Sequence, residues 1–210
     1  MSKPKVALFL AWYKRPEYLE MTLKSLQNQD YENIDFYIVE DNNPNTGLRN
    51  RIIDFFDSVK DKDYDFLMKV DADCVFPVDY VSNIIKAFNE TDADILSANV
   101  KPSDAAFTYG KEDKEKKGYR PSEIVGGLWN FRPSLIKDMY FERHELNGLT
   151  GAISLLRQIV TEKEPKIGWL PNITVEDIGH WSGQHKLCVK SKEHFEYSKE
   201  VGRAVAWSPR

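Results

Sequence analysis

The chain has 210 residues, enough for one well-buried core, and its 41% hydrophobic and 30% charged content is that of an ordinary soluble globular protein. A formal net charge of −4 argues against bulk attraction to nucleic acid or anionic lipid. No apolar segment approaches the length of a membrane span, and the run at 6–12 is too short for the core of a signal peptide.

In chain order, the continuous apolar run 6–12 reads as a strand covered on both faces. Residues 16–29 follow as a helix: Tyr18, Leu19, Thr22, Leu23 and Leu26 recur at helical spacing, and Pro16 with Glu17 suits a first turn. Next come a strand at 34–39, a helix at 48–60, a strand at 66–70, a helix at 78–89 and a strand at 94–100. Strands separated by helices of this length imply right-handed parallel crossovers and a twisted sheet. Ligands on such sheets bind beyond the carboxyl ends of the strands, and Lys14, Arg15, Glu40, Asp41, Asp71 and Asp73 all fall there.

The second half is less regular. Residues 111–117 are charge-dense and read as a solvated loop, or in a sharper reading as a flap over a bound donor. A glycine turn feeding a strand is expected at 126–132, and a helix at 152–161. The tail 186–210 holds six Lys/Arg against three Glu, with Phe195, Tyr197 and Trp207 interleaved. It suits either an amphipathic cover on the domain or a surface for a polyanionic acceptor such as nucleic acid. No linker, repeat or low-complexity tract divides the chain, so a single domain over 1–210 is expected. Cys74 and Cys188 form no metal or redox spacing; two free thiols in a reducing cytosol are expected, with a disulfide between them as the alternative.

The most informative stretch is 66–74, an apolar run that ends in Asp71 and Asp73. Alternate side chains of a strand share a face, so these carboxylates can point the same way and offer oxygens to one hard cation holding a diphosphate. The same spacing also occurs on solvated surfaces, so the surrounding motifs decide its meaning.

Those motifs occur in order: residues 13–19 (Tyr-Lys-Arg-Pro-Glu-Tyr-Leu), 23–29 (Leu-Lys-Ser-Leu-Gln-Asn-Gln), 37–43 (Tyr-Ile-Val-Glu-Asp-Asn-Asn) and 69–73 (Lys-Val-Asp-Ala-Asp). Together they make residues 5–100 resemble a GT-A glycosyltransferase of the family-two type. The resemblance implies an α/β fold of the GT-A, Rossmann-like kind: a twisted, mostly parallel sheet flanked by helices in one domain. Residues 1–100 would form the nucleotide-sugar-binding half and 101–210 the acceptor and metal/diphosphate half. It implies that Glu40 or Asp41 contacts the base or ribose, that Asp71 stands on the nucleoside side and that Asp73 binds the metal. Tyr13 and Arg15 would also line the donor, with Arg15 either on phosphate or in surface salt bridges. Carboxylates accept base N–H and ribose hydroxyl groups, and one at the metal holds a cation that neutralises the leaving diphosphate. Gly126 and Gly127 followed by Trp129 and Arg132 resemble the segment that lines the sugar and acceptor site. There Gly127 would allow close backbone approach and Trp129 would stack on the sugar; the alternative is a tight turn with a core tryptophan.

The C-terminal part departs from that pattern. The Glu-Asp pair that family-two enzymes carry at a helix start has no counterpart in 149–157, and an acidic pair appears later as Glu176 and Asp177. If the enzyme inverts configuration, Asp177 is the expected base, with Glu176 behind it. Residues 180–186 (His-Trp-Ser-Gly-Gln-His-Lys) resemble the His-x-x-Gly-x-x-Lys segment of retaining, glycogenin-like transferases, without the Pro-Trp that follows it there. This implies His180 as a metal ligand, His185 in reserve, Lys186 on the diphosphate and Trp181 at the substrate. Neutral imidazole ligates manganese, and an ammonium offsets charge on the departing nucleotide.

The resulting expectation is a cytoplasmic, hexosyltransferase-type enzyme using Mn2+ or Mg2+ and a nucleotide-diphosphate sugar, foremost a UDP-sugar. The acceptor would be a hydroxyl group of a glycan or of a hydroxylated nucleic-acid base. A nucleotidyltransferase is the rival enzyme, but it would favour a Gly-rich phosphate loop after the first strand, where the chain reads Trp-Tyr-Lys-Arg-Pro. A non-catalytic sugar- or nucleotide-binding module on a degenerate transferase is the rival from another class; retention of Asp71, Asp73, His180 and Lys186 argues against it.

Overall fold

The structure is a computed structural model, and it describes residues 3–12, 16–40, 47–101, 120–121, 128–143 and 151–178. The elements are β1 (Val6–Trp12), α1 (Pro16–Gln27), β2 (Ile34–Glu40), α2 (Gly47–Val59), β3 (Phe66–Asp71), β4 (Cys74–Val75), α3 (Tyr80–Glu90) and β5 (Ile95–Lys101). After these come β6 (Arg120–Pro121), β7 (Trp129–Phe131), a 3-10 turn (Pro133–Leu135), α4 (Gly151–Lys163) and β8 (Ile167–Asp177).

Among the described residues the strands form one sheet in the order β2-β1-β3-β7-β5-β8-β4, with β6 paired to β8. β1 lies parallel between β2 and β3, and β5 is parallel to β8. This is the crossover topology that the alternating elements of the first hundred residues dictate. β7 enters between β3 and β5 in the antiparallel sense, and β4 pairs antiparallel with the end of β8.

Two cores explain why β1 and β3 read as unbroken apolar runs rather than alternating ones. Ala7, Phe9, Leu67 and Ile95 pack on one face against Ile52, Phe55 and Phe56 of α2 and Leu155 and Ile159 of α4. Val6, Leu8, Leu10, Met68 and Leu96 pack on the other against Leu26 of α1 and Tyr80, Ile84 and Phe88 of α3. Both faces of the central strands are therefore covered by helices. α4 is stopped by Glu164 in the left-handed region (φ 46°), followed by Pro165.

β8 was not expected from the sequence. Its partner on β5 jumps from Leu170 opposite Ala98 to Thr174 opposite Asn99, so residues 171–173 bulge from the ladder. Pro171, which has no N–H to donate, sits in that bulge, and the strand continues past it to Asp177.

Candidate active site at the carboxyl edge of the sheet

Asp71 is the last residue of β3, and the chain turns through Ala72 and Asp73 before β4. Asp73 thus lies off the strand, and the turn, rather than strand alternation, sets its position relative to Asp71. Cys74 pairs with Asp177 and Val75 with Glu176, and the Ile178 N–H donates to the Asp73 carbonyl at 2.9 Å. The backbone of the Asp-x-Asp turn and the end of β8 are therefore stitched together. Burial pushes the Cys74 thiol pKa up, and the negative charges of Asp71, Asp73 and Asp177 add to that, with Lys69 opposing them. Acids from two distant parts of the chain, Asp71 and Asp73 at the turn and Asp177 at the end of β8, thus reach the same edge of the sheet. Glu176 is exposed, on the strand face opposite to Val175 and Asp177.

The turn is held from behind by α1. Thr22, fully buried, donates from Oγ1 to the Ala72 carbonyl at 2.9 Å. Ser25 Oγ accepts the Phe76 N–H at 3.1 Å. Gln29 donates to the Pro77 carbonyl at 2.8 Å and accepts the Val81 N–H at 3.0 Å, which serves the first turn of α3 where the Asp79 side chain makes no capping bond. The serine and the final glutamine of the 23–29 motif therefore position the backbone that carries the acids.

A buried charged residue at this edge that the motifs did not single out is Lys69. Its side chain is only 4% exposed, and its Nζ pairs with Asp71 Oδ1. The ammonium also lies 5.4 Å from the centre of the Trp129 ring, whose residue faces Lys69 across β3 and β7. The legible signal was a lysine inside an otherwise apolar strand, two positions before an aspartate. Trp129 itself is buried in the core at 3% exposure, which is the alternative reading of that residue. Arg132 is engaged below the sheet, donating to the carbonyls of Ala93 and Phe88 at 3.1 and 2.9 Å.

Glu40 ends β2 at the same edge, opposite Trp12, while Val39 and Ala11 share the row of Asp71. Alternation sends Glu40 to the face of exposed Phe36 and Ile38, away from Asp71. Tyr13, Arg15, Asp41, Gly127, His180, Trp181, His185, Lys186 and Cys188 lie outside the described residues, as do 111–117 and the tail. Among the described residues no group of three or more His, Cys, Asp and Glu could hold a metal ion alone, and no helix is long and apolar enough to cross a membrane. Asp73 and Asp177 are nevertheless hard oxygen donors of the kind that Mg2+ and Mn2+ accept alongside water and phosphate oxygens. A separate open cleft of about 490 Å³ lies beside α2, lined by Asp57, Lys60 and residues 139–143, and contains none of these acids.

No protein-family model matches the sequence, and no curated protein matches it. Solved structures do match in shape. The mannosyltransferase PcManGT of Pyrobaculum calidifontis, in complex with GDP-Man and Mn2+, superposes with a TM-score of 0.63 at 13% identity, over 99% of this chain and 67% of that one. S. aureus TarS 1–349, in complex with UDP-GlcNAc, superposes with a TM-score of 0.58 at 16% identity, over 82% of this chain; the match spans 58% of the TarS chain. A197 from STIV gives a TM-score of 0.54 at 15% identity, over 81% of this chain and 84% of that one. The chain therefore has the GT-A-type fold that these structures share, a mixed α/β domain whose mostly parallel sheet is flanked by helices.

Proposed function

We propose that the protein is a glycosyltransferase that takes a sugar from a nucleotide-diphosphate donor to a hydroxyl acceptor. The observation that carries this reading is the pairing of the Asp71-Ala72-Asp73 turn with the Asp177 end of β8, at the carboxyl edge of a sheet whose fold is shared with proteins solved with UDP-GlcNAc and GDP-Man. Asp71 and either Glu40 or Asp41 take the nucleoside, with Tyr13 and Arg15 on the donor. Asp73 and His180 would hold Mn2+ or Mg2+, and Lys186 the diphosphate. Such a cation, when bound, lowers the charge on the leaving diphosphate. Gly127 and Trp181 are assigned to the sugar and acceptor.

Asp177 is the proposed base. Its carboxylate takes the acceptor hydroxyl proton as that oxygen bonds the anomeric carbon; the bond from this carbon to the diphosphate oxygen breaks, and the nucleoside diphosphate leaves with the electron pair. The course is inverting. Incubation with UDP- and GDP-sugars plus Mn2+, with and without chelator, should release nucleoside diphosphate in a metal-dependent way and faster with acceptor. Release from no donor would refute the proposal, and NMR of fresh product showing the donor's anomeric configuration retained would refute the inverting course.

A further inference from the structure

Lys69 is one of two charged side chains found buried among the described residues, the other being Arg49. Arg49 has an evident structural use: its guanidinium donates to the Glu142 carbonyl and to Ser154 Oγ, tying α2 to the segment before α4 and to α4 itself. Lys69 is different. It sits mid-strand on the face of Leu67 and Trp129, and its ammonium runs along its own strand to Asp71, whose side chain is 37% exposed at the edge. A buried ion pair gives little net stability, because desolvation offsets the attraction, and apolar replacements of similar size are often neutral or better. Fold stability is therefore a poor account of a lysine at this position. What the contact does supply is orientation: it grips one oxygen of Asp71 from the buried side and leaves the exposed side of the carboxylate to a ligand.

We infer that Lys69 is a positioning residue for the nucleotide donor, acting through Asp71, which it holds as a hydrogen-bond acceptor for the nucleoside and not as a metal ligand. The inference rests on the donor-site reading above. The buried ammonium balances the Asp71 charge at an edge that must admit an anionic diphosphate. The indole of Trp129 beneath it supplies a cation–π surface that keeps the ammonium from retreating into the core. Asp73, two residues further on, is left as the acid of the pair that meets a cation.

Calorimetric titration of the full chain with UDP and with GDP, at saturating Mn2+, tests this on Lys69→Met, Asp71→Asn and the double variant. Lys69→Met should weaken binding of the preferred nucleotide about tenfold or more, the size of a lost charged hydrogen bond. Its affinity for Mn2+ alone should stay unchanged and its apo melting temperature should not fall. The double variant should bind no more weakly than Asp71→Asn, because a residue that acts through Asp71 adds no loss once that carboxylate is gone. Wild-type affinity in Lys69→Met, multiplying losses in the double variant, or weakened Mn2+ binding would each overturn the inference. Should Lys69→Met fail to fold, Lys69→Gln, which keeps a donor toward Asp71, decides in the same titration: a loss smaller than that of Asp71→Asn supports the role, and no loss refutes it. A wild-type protein that binds neither UDP nor GDP would instead bring down the donor-site reading, and this inference with it.

Discussion

Asp73 and Asp177 sit side by side because the Ile178 N–H and the Asp73 carbonyl are hydrogen-bonded, and their roles separate by experiment. Asp73→Asn removes a negative oxygen from the proposed cation site while keeping the side-chain shape. It should cut turnover by orders of magnitude and leave the apo melting temperature nearly unchanged; near-normal activity with Mn2+ would contradict the assignment. Asp177→Asn should lose roughly 10²- to 10⁴-fold in transfer if the carboxylate deprotonates the acceptor. A base variant keeps its Mn2+ affinity in a metal titration, whereas a residue that supports a metal ligand loses about tenfold or more of it on substitution. Residue types alone marked Asp71, Asp73 and the acidic pair as candidates. They did not say that Asp177 is half-buried beside the Asp-x-Asp turn while Glu176 is exposed on the other strand face, which follows from the pairing and alternation at the end of β8. Nor did they decide Trp129, whose ring the pairing of β7 with β3 places over the core.

At the scale of elements, α1 does more than cover the sheet. Its apolar positions Leu19, Leu23 and Leu26 were legible from helical periodicity. The use of Thr22, Ser25 and Gln29 was not, because each bonds backbone about fifty residues away, on the segment from Ala72 to Val81. Gln29→Ala strips partners from the Pro77 carbonyl and the Val81 N–H, two part-buried bonds, each of which contributes about 0.5–1.5 kcal/mol. For a chain of this size each kcal/mol lowers the melting temperature by about 2–4 °C. Calorimetry should show that drop, together with weaker nucleotide binding, since the displaced backbone leads directly from Asp73. A variant with normal stability would show that the bonds are not maintained in solution. β8 was hidden for a related reason: Pro171 argues against a strand when only local propensity is consulted, and the bulge that accommodates it exists only because β5 lies alongside.

For the whole molecule, donor binding should register as stability. Nucleotide at 100 times its Kd adds about 2.7 kcal/mol to the folded state, or roughly 5–10 °C in melting temperature at this size. Melts with UDP or GDP plus Mn2+ should show that rise, and chelator should remove most of it; equal shifts with and without metal would exclude a cation from the donor site. The order of strands and helices through residue 101, the two-sided burial of β1 and β3, and the placing of the acids at one edge were determined by the sequence itself. Those features depend on local periodicity and on the handedness of crossovers, which a short window of residues contains. The insertion of antiparallel β7 between β3 and β5, the capture of Asp177 beside the Asp-x-Asp turn, and the burial of Lys69 against Trp129 were decided only by tertiary structure. Each is a pairing between segments far apart in the chain, chosen by which strand edge is open and which face is already filled, and no local pattern of residues records that choice.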